Sequence, residues 1–266
     1  MARASGNHWL VVRLDMRPGS STMPCALCLK DKPLRNSHIY PEWIYGPLYD
    51  DKHRLEVLSV VPEGRNEFEQ KGMRQRLLCD ACEQKLSVRE GYARSIFLAP
   101  IKPLEAAHHD GMIEVRGLDY PKMKLFELSI IWRAGVSTLP FFEKCQLGAT
   151  HSETLRKQLE ASEPGDPDRY GAMMFGLKVG QSKDTFQVIA EPRPVRSYGV
   201  RAYNLTFGGF LWLFHVSSSD PPGPLRQGFL QQDGTRLVAV RDAHEMKNMQ
   251  AFAVELNRLG RAPRAK

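Results

Sequence analysis

Two Cys-x-x-Cys pairs, CALC at Cys25–Cys28 and CDAC at Cys79–Cys82, constrain this chain more than any other feature. Each short turn lets both sulfurs face one ion, and together they supply four thiolates, enough to close a tetrahedral zinc site. Their softness selects zinc over hard cations. The second pair opens an expected helix, whose positive N-terminal end lowers thiol pKa. Fifty residues separate Cys28 from Cys79, against roughly 15 to 20 in a compact zinc ribbon, so the insert has a task of its own. Two unrelated reduced pairs, or a redox pair, are the competing readings, but no βαβ pattern of the redox kind surrounds either motif. Cys145 is left over and reads as a small buried hydrophobe.

A chain of 266 residues with 42% hydrophobic and 25% charged content can bury a real core. Its formal charge of +7 favours polyanions as partners. No apolar run reaches the roughly 18 residues of a membrane span; the nearest, FGGFLWLFHV at 207–216, reads as a buried strand. WLVV near the N-terminus is too brief for a signal-peptide core, so a reducing cytoplasm is expected, with Met16 or Met23 as alternative starts.

The organisation reads as α+β. Residues 1–22 form a loose tail, 23–98 a cysteine-framed unit, 99–111 a proline-bearing linker, and 112–266 a second α+β domain with an antiparallel sheet. After Cys82 a helix is expected with Leu86, Ala93 and Phe97 inward and Arg89 and Arg94 on its polar side. KMKLFELSIIWRAGV is apolar enough for a buried helix, and Thr150 and Glu153 have capping-box spacing for a shorter one. Five β-like runs follow: AMMFGLKV, TFQVIA, VRAYNLTF, FLWLFHV and RLVAV. A last helix is expected after Asp242, with Met246, Met249, Phe252, Leu256 and Leu259 on one face. His215 reads as a core residue, and His108–His109 lacks a metal-binding partner at useful spacing.

Between the pairs lies SHIYP, with His38 followed by Ile39, Tyr40 and Pro41, and the sequence returns through LLCDACEQKLS. Taken in order, CALC, SHIYP and LLCDACEQ resemble a divergent HNH endonuclease domain over residues 23–98. The resemblance implies a zinc-stabilised, treble-clef-like ββα-metal unit, with Cys25, Cys28, Cys79 and Cys82 on structural zinc and His38 as general base. Ser37 stands where the family often has aspartate, Arg74 falls near the place of its central asparagine, and Glu83 follows the second pair where asparagine or histidine is common.

Phosphodiester hydrolysis needs a base, a divalent ion and groups that position the strand. Histidine suits the first role because it titrates near neutrality. Glu83, with Glu90 two turns on, offers hard oxygen for Mg2+ or Mn2+, and Arg74 and Arg76 are candidate phosphate contacts. Trp43, Tyr45 and Tyr49 can stack on bases or cover the small core of the zinc unit. The expected function is a metal-dependent nuclease acting on nucleic acid, DNA first. The alternative is an inactive zinc module that binds nucleic acid or protein. The C-terminal domain would select substrate, meet a protein partner or form a homo-oligomer.

Overall fold

A computed structural model of the protein describes residues 24–57, 67–98, 105–109, 111–178, 185 and 187–243. The tail at 1–22 and the helix expected after Asp242 lie outside these residues.

The cysteine-framed unit is built on two antiparallel strands, β1 (Leu34–His38) and β4 (Arg74–Cys79), with Ser37 opposite Gln75 and His38 opposite Arg74. Their connection carries the short helix α1 (Glu42–Tyr45) and a two-stranded ribbon of β2 (Leu55–Val57) and β3 (Glu67–Glu69). Pro41 caps α1, a position where a missing N–H costs nothing. Gly72 lets the buried ring of Tyr45 lie against the main chain; a Cβ there would fall 2.3 Å from that ring. From β4 the chain passes directly into α2 (Asp80–Phe97), whose first turn holds Asp80 and Glu83, the signs that complement the helix dipole. Arg89, expected on the polar side, is instead buried and donates to Ser162 Oγ at 2.7 Å.

The second half is organised on α3 (Tyr120–Val136), capped by Asp119, whose side chain accepts from Lys122 N. Every residue from Met123 to Ala134 is buried, so this part of α3 has no solvent face, and only its first turn, at Pro121 and Lys122, is exposed. One flank meets α2, another α4 (Ala149–Ala161). The capping box expected at Thr150 does not form: the cap is Gly148, two residues earlier, at φ 83°, and Thr150 lies within the helix.

A seven-stranded sheet runs in the order β5 (Glu105–His109), β6 (Met112–Arg116), β11 (Arg236–Asp242), β7 (Ala172–Lys178), β10 (Phe210–His215), β9 (Val200–Phe207), β8 (Ala190–Ser197). The sheet is mixed rather than purely antiparallel, because β7 and β11 pair in parallel. Residues 105–109, expected within a linker, form an edge strand. The run TFQVIA contributes only its last residue, Ala190, to a described strand.

One hydrophobic cluster extends from Cys25 to Val238, across the sequence boundary at 99–111. Trp43 stacks on Phe97 and on Phe126 of α3, and Phe97 meets Trp212 of β10 edge-on. Tyr40 packs against Phe207 of β9 with ring centroids 5.0 Å apart. Of the aromatic residues flanking His38, Trp43 and Tyr45 therefore serve packing.

The buried charges of α3 each have a tertiary partner. Lys124 donates to the carbonyls of Arg169 at 2.8 Å and Tyr170 at 3.0 Å, and Glu127 faces Arg236 at 2.6 Å with both side chains 1% exposed. Burial pushes the Lys124 ammonium down to about 8 and raises the Glu127 carboxyl, the latter opposed by Arg236 and Lys124.

Candidate metal centre and the adjoining basic cleft

The turn after β-bridge residue Pro24 carries Cys25 and Cys28, held by Leu29 N–H donating to Cys25 O at 2.8 Å, with Leu29 in the left-handed region at φ 59°. Cys79 ends β4 and caps α2, and Cys82 lies in its first turn. All four Sγ atoms lie within 4.8 Å of one another. Cys28 Sγ and Cys79 Sγ are 3.9 Å apart. Tetrahedral thiolates about 2.3 Å from zinc sit about 3.8 Å from each other, whereas a disulfide needs about 2.05 Å. The thiols are free, and the donor set fits a zinc ion.

The electrostatics point the same way. Burial acts to raise the Cys25 pKa, but the N–H groups of Cys28, Cys79 and Leu27 outweigh it and bring it down to about 7. The Cys79 N–H donates to Cys25 Sγ at 3.2 Å. Cys82 is driven up by burial and by the neighbouring Cys79, Cys25 and Cys28 sulfurs. Four packed sulfurs resist simultaneous ionisation unless a divalent cation compensates them, so metal uptake releases protons. Among the described residues this is the one group of three or more His, Cys, Asp or Glu side chains placed to hold an ion.

Alternation along β1 sends Ser37 and His38 to opposite faces. Ser37 is fully buried; its Oγ donates to Glu83 Oε2 at 2.6 Å and accepts from Leu78 N at 3.2 Å. Burial raises the Glu83 carboxyl, partly offset by the Ser37 hydrogen bond and the Arg133 charge. Glu90 lies 2.7 Å from the Arg133 guanidinium, which is 1% exposed. Both carboxylates considered for a catalytic divalent ion are thus engaged by protein groups.

The carboxylate that meets the His38 ring is that of Glu42, four residues on, in contact with Nε2. The approach lacks hydrogen-bond alignment and is an ion pair only when the imidazole is protonated. Burial lowers the imidazole pKa, opposed by Glu42 and reinforced by Arg74. His38 lines an open cleft of about 540 Å³ with Glu42, Lys52, His53, Gln70, Lys71 and Arg74. Arg76, two residues along β4 from Arg74, is exposed and lies outside that lining. Tyr49 borders the region, donating to Glu42 Oε1 at 3.1 Å and stacking on His53.

The structure therefore brings together the four cysteines, and separately His38 with Arg74; it pairs Glu83 with Ser37 and Glu90 with Arg133. Sequence reasoning missed Glu42, Lys52, His53, Gln70 and Lys71. The one readable signal was the i, i+4 spacing of His38 and Glu42 across the helix start at Pro41. No protein-family model, curated protein or solved structure matches the chain.

Proposed function

We propose that this chain is a zinc-clasped nucleic-acid-binding protein whose His38 cleft receives the phosphate backbone, with DNA as the first candidate. The observation that carries this reading is the cleft lining: Lys52, Lys71 and Arg74 beside two imidazoles, against the single carboxylate of Glu42. Clustered cations in a concave surface concentrate polyanions and release their counterions on binding. Zinc at Cys25, Cys28, Cys79 and Cys82 joins the first turn to the β4–α2 junction and so sets the β1–β4 pair that presents His38 and Arg74. The order of cysteine turn, paired strands and helix supplying the last ligands supports a treble-clef-like unit of divergent HNH type.

The second reading is phosphodiester hydrolysis with His38 as base, favoured by its contact with Glu42, since a carboxylate orients an imidazole and stabilises its protonated form. The residues around Glu83 and Glu90 do not fit a catalytic Mg2+ or Mn2+, because Ser37 and Arg133 already satisfy them. Binding therefore ranks ahead of cleavage.

The test is fluorescence anisotropy with a labelled DNA duplex across a salt series, for the wild type and Lys71→Ala/Arg74→Ala. The expected result is salt-sensitive binding whose log–log slope falls by about two in the variant. Unchanged affinity and slope would refute the cleft. Plasmid incubation with Mg2+ or Mn2+, beside His38→Ala, decides the second reading: cleavage by the wild type alone supports it, and equal cleavage by both proteins refutes the role of His38.

A further inference from the structure

Far along the chain from the cleft residues, the β8–β9 hairpin closes through Ser197-Tyr198-Gly199-Val200, with Ser197 paired to Val200. Its two central residues both have positive φ, 49° at Tyr198 and 77° at Gly199, the pattern of a type I′ turn. That turn favours asparagine, aspartate or glycine at its first central position; a bulky aromatic there is strained. Tyr198 gains no packing in return. It is 68% exposed, and no ring contact involves it among the described residues. The local chain makes the strained turn and then spends it on an aromatic held out in water.

The surroundings are cationic. Residues 192–203 contain Arg193, Arg196 and Arg201 and no acidic side chain. Arg196 and Arg201 stand directly opposite each other across the ladder, a like-charge pair that destabilises an isolated hairpin. Alternation along β8 sends Arg193 and Arg196 to opposite faces, and it is Arg196, next to the turn, whose guanidinium donates to Gly199 O at 3.0 Å. Strand addition is not what this edge is for: Pro192 and Pro194 remove two N–H donors from β8, the outermost strand of the sheet.

We infer that the β8–β9 hairpin is a second nucleic-acid contact, in which Tyr198 stacks on an unpaired base while Arg196 meets a flanking phosphate. A base has a π-face whatever its identity, so such stacking is tolerant of sequence, and guanidinium forks suit phosphate oxygens. A membrane is the other anionic surface that takes aromatic and basic residues together. One tyrosine between the half-buried Val195 and Val200 offers little apolar area for insertion, which favours nucleic acid. The inference rests on the reading that the chain binds nucleic acid, and the experiment separates the two.

The full chain is titrated against a fluorescein-labelled 20-nucleotide single strand, its duplex, and phosphatidylserine-containing vesicles. Tyr198→Asn places the residue best suited to the turn, so melting temperature should stay level or rise while single-strand affinity falls about tenfold. Tyr198→Trp should retain affinity. Arg196→Ala should lower the single-strand salt slope by about 0.7. Undiminished single-strand binding by Tyr198→Asn, with binding lost in Lys71→Ala/Arg74→Ala, overturns the hairpin contact and leaves the cleft standing. Vesicle binding without DNA binding, or no binding to any of the three probes, overturns both.

Discussion

The Arg133 guanidinium, buried in the last turn of α3, donates to the main-chain carbonyl of His38 at 2.9 Å. One arginine of the second half thereby fixes the end of the strand that presents the cleft histidine. Its ion-pair partner, Glu90 at 2.7 Å, belongs to the helix that follows the cysteines. The cysteine-framed unit and the sheet half are joined here by a buried polar linkage as well as by apolar packing, and the position of His38 depends on both.

Arg133→Met should therefore cost about 3 kcal/mol, since it leaves the Glu90 carboxylate and the His38 carbonyl without their donor. Arg133→Lys keeps the charge but loses the fork, and should fall between the two. Urea unfolding at pH 7 measures both.

His38 should make stability depend on pH in a stated direction. Burial holds its folded-state pKa below the ordinary value of 6.5, so the unfolded chain takes up the proton first. The contribution is complete above pH 6.5 and is lost as pH falls from there through the folded-state value. His151 and His215 shift the same way, so the informative quantity is a difference. The stability gap between wild type and His38→Gln should shrink between pH 7.5 and pH 5.5; a gap that widens would mean that the Glu42 contact dominates and favours the imidazolium.

The buried pair Glu127–Arg236 should behave as a unit. Glu127→Gln leaves Arg236 and Lys124 as neighbouring buried cations, and should cost about 3 to 5 kcal/mol. Glu127→Leu/Arg236→Met should cost less than the sum of its two single substitutions in a double-mutant cycle. Additive costs would show that the two charges are not coupled.

Local chemistry was the legible part of this chain. The cysteine spacing implied a shared ion, and the apolar run at 122–136 implied a buried helix, because both signals are contained in short stretches. Lys124, Glu127 and Arg133 gave no sign of being buried, since their partners lie on β11, in the loop at 167–170 and on α2, set by folding rather than by spacing. The failure at Thr150 was one of competition: Gly148 in the left-handed region turns the chain into α4 before the threonine is reached. The carboxylate beside His38 was misassigned for a related reason. Glu83 follows the cysteines and looked available, but β-strand alternation gives it Ser37 and leaves the opposite face to Glu42.

Zinc content is the most direct measurement. Purified full-length protein, dialysed against metal-free buffer, should retain one zinc per chain by elemental analysis, and its removal by a chelator should unfold the Cys25–Cys82 frame and abolish salt-sensitive DNA binding. Less than about half an equivalent of zinc, with the fold and DNA binding intact, would contradict a clasp that sets the cleft.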